Sequence, residues 1–283
     1  MTSALRSFQE APVRHLQLGG TNLAYRVFGQ GPAIVWVHGW PLCGATYRDL
    51  VAKLSAHYCC YVPDLPGAGQ TPWDPNTGET FAGFSALISD FVRALGLDLV
   101  ALVGHDSGGS VARLAATKLG NRVRALVLFN TELPHHVPWL VRLISVLVAL
   151  PGSDWIFRQL LRHRWYRHSA FGFGGAFHDP RLLDGEFHEV CVAPVLEAPG
   201  PFLAAMRAAD FRALDPFLKP AVPTLCIWGA ADPFFPLSRA RAMVASWPTA
   251  RLEVIEKAKL MVYEEAPEQA LSWMSAFLRS HLS

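Results

Sequence analysis

The sequence predicts an α/β protein with a mostly parallel central sheet and helices on both of its faces. Three observations predict it. Apolar runs of strand length alternate with stretches whose apolar residues recur at helical spacing, the pattern of strand–helix–strand crossovers. At Val100–Ala112, VALVGHDSGGSVA, a buried-strand run passes through a glycine-flanked turn straight into a helical pattern. The chain has 283 residues and is 51% apolar, enough for one large core.

Val13–Leu18 and Leu23–Phe28 read as strands joined at Gly19-Gly20. Ala33–Val37 is an unbroken apolar run suited to a central strand, and it ends in His38-Gly39-Trp40-Pro41. Ala45–Ser55 has helical spacing, and Tyr58–Val62 is the next strand. The turn-rich loop Asp64-Leu65-Pro66-Gly67-Ala68-Gly69-Gln70-Thr71 follows; it lacks the lysine and the strand–turn–helix order of a phosphate loop. Phe81–Leu95 is helical, with Gly96 as its stop. The strand Leu99–Val103 and the helix from Gly109 to Leu119 flank the glycine turn, and Val123–Phe129 is a further strand. From Pro134 to about Leu214 the alternation stops, and the chain becomes rich in Trp, Phe, Arg and His. Thr224–Trp228 resumes the sheet and leads into Gly229-Ala230-Ala231-Asp232-Pro233. Pro236–Ser246 is helical, Leu252–Ile255 is the last strand, and Pro267–Leu278 is the closing helix.

Composition narrows the partners. With 25 Lys and Arg against 23 Asp and Glu, and no charge blocks, nothing points to nucleic acid; a small neutral or apolar molecule is the expected partner. The five cysteines, Cys43, Cys59, Cys60, Cys191 and Cys226, show no metal spacing and read as reduced, packed thiols of a cytoplasmic protein. Residues 1–13 lack the apolar core of a secretion signal. The longest apolar run, Val137–Leu150, contains Arg142 and is too short to span a bilayer, so no membrane partner is expected. No metal or cofactor is expected, and the chain reads as a monomer or homodimer.

The turn Gly104-His105-Asp106-Ser107-Gly108 has the form of a nucleophile elbow, glycine–x–nucleophile–x–glycine, with Asp106 at the central position and Ser107 one place too late. The stretch resembles the α/β-hydrolase superfamily, in particular its aspartate-nucleophile branch of epoxide hydrolases and haloalkane dehalogenases. The resemblance implies an α/β-hydrolase fold with residues 1–133 and 215–283 as the core and 134–214 as an inserted helical cap over the active site. It implies Asp106 as nucleophile and Asp232, in Gly-x-x-Asp, as the catalytic acid, with Asn130 or Glu132 as an alternative after the preceding strand. It implies an oxyanion hole from the N–H groups of Trp40, in His-Gly-x-Pro, and of Ser107. His38, His105, Trp139, Trp165 and Tyr166 are the candidate substrate-binding residues. Most of the cap aromatics, among them Trp155, Phe171, Phe173 and Phe177, are expected to form cap core, with one to three lining the pocket.

The family's histidine is missing. Counting back from Glu265-x-Pro267, Lys259 takes the place of the family's glycine and Leu260 that of its histidine. Between His188 and His281 the sequence has no histidine. In the family, the aspartate forms an alkyl ester and histidine activates the water that cleaves it; leucine can do neither part of that second step. Other departures are Ser107, where dehalogenases carry a halide-holding tryptophan, and Ser107 and Ser110 near the elbow, where fluoroacetate dehalogenases place arginines, with Arg113 nearby. Three readings follow. The first is an epoxide-hydrolase-like enzyme with a replacement base, such as His135, His136 or Lys259. The second is a non-hydrolytic isomerase, lyase or cyclase using Asp106 as acid or base, in a pocket dried by Leu260, Met261 and Val262. The third is a ligand-binding pseudoenzyme.

Overall fold

The computed structural model describes residues 1–73, 80–208 and 219–282. Eight strands form one sheet: β1 Arg14–Leu18, β2 Thr21–Phe28, β3 Ala33–Val37, β4 Cys59–Pro63, β5 Val100–His105, β6 Val123–Phe129, β7 Thr224–Gly229 and β8 Ala250–Ile255, in the spatial order β1-β2-β4-β3-β5-β6-β7-β8. β1 and β2 pair antiparallel, as do β2 and β4; every pairing from β4 onward is parallel. The chain winds outward from β3 to β4, then returns past β3 to β5. The order therefore reverses between β3 and β5, and such a reversal opens a crevice at the carboxyl ends of the two strands.

The helices are α1 Ser3–Glu10, α2 Arg48–Leu54, α3 Phe81–Ala94, α4 Ser107–Leu119, α5 Trp139–Val148, α6 Ser153–Arg162, α7 Arg164–Arg167, α8 Ala193–Glu197, α9 Pro199–Ala208, α10 Leu237–Ala245, α11 Val262–Glu265 and α12 Pro267–His281. Successive strand residues point to opposite faces. Ile34 and Trp36 of β3 join Ala101, Val103, Ala125 and Val127 in a core shared with α1, α2 and α12. Val35 and Val37 join Val100, Leu102 and Leu126 in a second core shared with α3 and α4. Helices thus cover both faces, as the sequence predicts.

Two local differences have simple causes. Residues 3–10 form a helix that the apolar pattern does not announce. The Thr2 hydroxyl accepts the Leu5 N–H to cap it, and Leu5 and Phe8, one turn apart, are buried. The helix expected over 45–55 opens as a tighter 3-10 turn, Gly44–Tyr47, before α2 begins at Arg48.

Between β6 and β7 the described chain is helical or irregular throughout; residues 209–218, where the expected boundary between insertion and core at 214/215 falls, lie outside the described residues. This helical insertion is tied to the sheet domain by Arg48, which is almost fully buried. Its guanidinium donates to both oxygens of Glu264, at 2.7 and 3.0 Å, and to Glu186 of the insertion at 3.2 Å. The expectation that most of the insertion's aromatics form its core is corrected: Phe177 is buried, but Trp139, Trp155, Trp165 and Phe171 are each more than half exposed. The physical reason is geometric. α5 turns the stripe Leu140 and Val148 inward, and no described part of the chain covers the opposite side of the helix. All five cysteines are free thiols. Among the described residues no helix is long and apolar enough to cross a membrane.

Candidate active site

The elbow is built from strain and close approach. Asp106 joins β5 to α4 with φ 52° and ψ −131°, a backbone conformation that costs a non-glycine residue about 1–3 kcal/mol and persists only when its surroundings enforce it. Its N–H donates to the Asn130 carbonyl at 2.9 Å, and its own carbonyl accepts from the Gly109 N–H and the Thr131 hydroxyl, both at 2.9 Å. Gly108 has no room for a side chain, since a Cβ there would lie 2.2 Å from the Val37 carbonyl oxygen. Gly39 meets the same limit from the other side: its Cβ would fall 2.7 Å from that of Asp106 and 3.1 Å from Asp106 Oδ2. The tip of β3 is therefore pressed against the carboxyl group, at the crevice where the strand order reverses.

The two donors expected of an oxyanion hole face this carboxyl. The N–H groups of Ser107 and Trp40 both bond to Asp106, and the Trp40 N–H also donates to Ser107 Oγ at 2.9 Å. Ser107 N–H opens α4, so the positive end of that helix stands beneath the acid. Burial nevertheless dominates. Desolvation, then the charge of Glu132, then that of Asp232 push the Asp106 carboxyl well above the usual carboxylate range, and the two N–H groups offset this only in part.

Asp232 follows β7 and is buried. Its Oδ2 accepts from Asn130 Nδ2 at 2.5 Å and its Oδ1 from the Phe234 N–H at 2.7 Å. Burial pushes its pKa up to about 7, against the hydrogen bonds from Asn130 and from the Phe234 and Phe235 N–H groups. Asn130 is itself anchored, since its Oδ1 accepts the Gly229 N–H at 2.9 Å. It bridges the ends of β6 and β7 and partners the acid. Glu132, the other alternative acid, is buried in a separate network: it accepts from Ser110 Oγ at 2.7 Å and Thr131 Oγ1 at 3.0 Å, while Arg113 donates to Ser110 Oγ at 2.7 Å and to the Glu132 carbonyl at 3.1 Å. Arg113 is thus engaged away from the elbow, with its guanidinium over the Trp247 ring at 5.7 Å.

Leu260 stands beside the elbow strand. Its carbonyl accepts from His105 Nε2 at 3.1 Å, and its side chain packs against the cluster of Trp228 and Phe235. Hydrocarbon fills this place. Of the candidate replacement bases, His136 donates from Nε2 to the Phe234 carbonyl at 2.7 Å. His281, outside that set, bonds through Nδ1 to the Phe277 carbonyl at 2.8 Å, within the closing helix. Lys259 gives its backbone N–H to Glu265 at 2.7 Å, and its charge reaches Asp232.

A cavity of about 580 Å³ opens beside the elbow, floored by Gly39, Trp40, Ser107 and Val111 and closed from the helical insertion by Val190, Val195 and Pro201. Of the five candidate substrate-binding residues only His38 lines it, and Asp106, Asp232 and Leu260 are not among its lining residues, although Trp40 and Ser107, which face Asp106, are. His38 is fixed in one neutral form: Leu65 N–H donates to Nε2 at 2.8 Å, so Nδ1 carries the proton and donates to the Gly39 carbonyl at 2.9 Å. Burial lowers its pKa. His105 is buried behind the elbow, where Tyr263 OH donates to Nδ1 at 3.2 Å and burial lowers the pKa to about 3. It therefore pins the 260–263 loop and does not face the cavity. Trp139, Trp165 and Tyr166 are not among the cavity's lining residues; Trp139 and Trp165 lie on the outside of the insertion. The sequence reading passes over Tyr263 and the bridging role of Asn130, because each acts through a contact distant in the chain. Asn130 alone had a local signal, its place directly after a strand. Among the described residues no group of three or more His, Cys, Asp or Glu could hold a metal ion.

Comparison with known proteins agrees with this fold. A family model described as alpha/beta hydrolase fold matches residues 32–267. Haloalkane dehalogenase 2 of Mycobacterium bovis is 27% identical over 248 residues, covering 85% of this chain and 86% of that protein. The pimeloyl-[acyl-carrier protein] methyl ester esterase of Aeromonas salmonicida is 26% identical over 264 residues, covering 89% and 97%. Among solved structures, the epoxide hydrolase CorEH superposes with a TM-score of 0.79 at 20% identity, over 96% of this chain and 99% of that one, a likeness of fold.

Proposed function

The chain belongs to the alpha/beta hydrolase fold family, and from that premise we propose that it is an enzyme acting through Asp106 on a small, largely apolar electrophile, an epoxide first among them, with the helical insertion as its cap. The observation that carries this reading is the elbow itself: a carboxyl group held in strained backbone, faced by the N–H groups of Trp40 and Ser107, beside a largely apolar cavity. In the ionised form one Asp106 oxygen attacks an epoxide carbon, the ring C–O bond breaks, and the ring oxygen takes a proton from solvent. Water then adds to the resulting ester. The Trp40 and Ser107 N–H groups stabilise the oxyanion, a contribution typically worth a factor of about 100–1000 per donor. The proton from that water goes to Asp232, whose pKa near 7 suits a base at neutral pH; the adduct then collapses, the ester C–O bond breaks, and the departing diol oxygen takes that proton, which frees the Asp106 carboxylate. Asp232 thus takes over the task that the sequence reading assigned to a cap histidine or Lys259.

A second reading is favoured by a specific observation. The Asp106 carboxyl is pushed up by burial and by two acidic neighbours, and position 260 offers hydrocarbon where the family has imidazole. A protonated Asp106 donates to the epoxide oxygen, the ring C–O bond breaks, and the Asp106 carboxylate so formed takes up the carbon-bound proton, which completes an isomerisation without water and restores the acid.

One experiment separates the two. The protein is incubated with styrene oxide in ¹⁸O-labelled water, and intact mass and products are followed. An adduct on Asp106 and labelled diol support hydrolysis, and Leu260→His then raises the rate of diol formation. An unlabelled isomer that disappears in Asp106→Asn supports the second reading. Tight binding of a panel of epoxides with neither adduct nor product would sink both and leave a ligand-binding protein. In either enzymatic case Asp106→Asn lowers turnover by about a thousandfold or more.

A further inference from the structure

The exposed apolar surface of this protein is concentrated in one place. Apart from Met1 and Leu99, every large apolar side chain that is exposed among the described residues lies between Trp139 and Leu182. Five of them, Trp139, Leu143, Val146, Leu147 and Leu150, recur at the three- and four-residue spacing of one helix face along α5 and its end. Trp155 and Ile156 continue the surface across the turn into α6. Phe171 extends it at the other end, its ring 6.3 Å from that of Trp139. The exposures are large: 64% for Trp139, 63% for Val146 and 67% for Trp155. A contiguous apolar face of this kind on a soluble protein marks an interaction site.

Charge says what kind. Arg142, Arg158, Arg162 and Arg164 are all exposed in the same stretch, against Asp154 as its exposed acid; Arg164 is paired with Asp184. Tryptophan and aliphatic side chains bordered by arginine are the composition of a helix that lies in the headgroup layer of an anionic membrane. A second copy of the chain fits less well. A two-fold interface would set this surface against itself, arginine rim facing arginine rim.

We propose that the outer face of α5 and the start of α6 dock the protein onto anionic lipid surfaces. The sequence reading excluded a membrane partner because no apolar run can span one; a helix that lies on the surface needs no span. The inner face of the same helix gives the docking a link to the site. Val148 of α5 is buried with Phe157 and Leu203, and Trp40, the donor at the elbow, packs against that cluster together with Ile144. One helix thus has lipid on its outer side and the oxyanion turn on its inner side, a placement suited to apolar substrates drawn from a bilayer.

The test is co-sedimentation of the full chain with vesicles of phosphatidylcholine alone and with vesicles containing phosphatidylglycerol, at low and high salt. The expected result is binding that requires phosphatidylglycerol and weakens with salt. It is lost in Trp139→Ser/Trp155→Ser and is reduced roughly fivefold for each cation removed in Arg142→Gln, Arg158→Gln and Arg162→Gln. Thermal melts confirm folding, and the arginine variants, which alter no buried contact, serve should the tryptophan variant melt early. Asp106→Asn binds vesicles as the wild type does, so a failure of the catalytic reading leaves this result standing. No binding to phosphatidylglycerol vesicles at low salt overturns the proposal. So does equal binding to both vesicle types, or self-association in the absence of lipid that the tryptophan variant abolishes.

Discussion

The sheet that floors the cavity and the outer helices of the insertion are built on opposite terms. On the floor, every residue of β3, β5 and β7 is buried, and these strands and β6 carry large side chains such as Trp36, Phe129 and Trp228 with no measurable exposure. In the insertion, side chains of the same size stand in solvent along α5, α6 and α7. Dense packing on both faces of the sheet is what holds Asp106 at a positive φ and keeps three acidic groups, Asp106, Glu132 and Asp232, within reach of one another's charge. The exposed outer face of α5–α7 carries no such load.

This contrast can be broken at its strongest point first. Phe129→Ala, on the floor, is expected to cost about 3–5 kcal/mol, whereas Trp155→Ser, on the exposed face of the insertion, changes stability by less than about 0.5 kcal/mol; denaturant unfolding of both variants is the measurement, and equal costs would refute the division. The joint between the two regions comes next. Arg48→Ala leaves Glu264 buried without its bidentate partner and is expected to destabilise by about 3–5 kcal/mol. Restoring part of that loss with Glu264→Gln in the same chain would show that the unpaired charge, and not lost packing, is responsible.

Protonation sharpens the picture of the floor. Asp232 keeps its proton in the folded protein up to about pH 7, but the unfolded chain releases it near 3.8. Its contribution to stability is therefore complete below the lower value and is lost as pH rises through the upper one, a cost on the order of a few kcal/mol. His105 acts in the opposite sense. Its folded pKa is near 3 against 6.5, so its contribution is present above 6.5 and is lost as pH falls toward 3. Asp232→Asn is expected to remove the fall in melting temperature that Asp232 contributes between about pH 4 and pH 7 and to leave the opposing His105 trend in place; an unchanged profile would count against the assignment. The smallest effect belongs to Ser107→Ala. It removes the hydroxyl that accepts the Trp40 N–H and is expected to change stability by about 1 kcal/mol. Turnover should change by less than tenfold, since the Trp40 N–H still faces Asp106.

Much of the floor was legible in the sequence because its signals are local. Glycines at 39, 104 and 108, an acid between two of them and apolar runs of five to seven residues place the strands and the elbow to within a residue or two. Leu260 was legible by spacing alone. The helical region was legible as an interruption of the alternation and no further. Apolar spacing shows that α5 is a helix. With apolar residues around most of its circumference, it does not show which side faces inward.

Sequence by itself determined the strand–helix alternation, the carboxyl group at the elbow and the leucine at position 260, because each follows from neighbours in the chain. Tertiary structure alone decided that Asn130 partners Asp232, that His105 faces the back of the elbow, and that the tryptophans at 139, 155 and 165 face outward. The physical reason is the same in all three cases. Hydrogen-bond partners and burial depend on what the fold brings within a few ångströms, and residues about 100 to 155 positions apart, or in different layers, leave no trace of that proximity in their order.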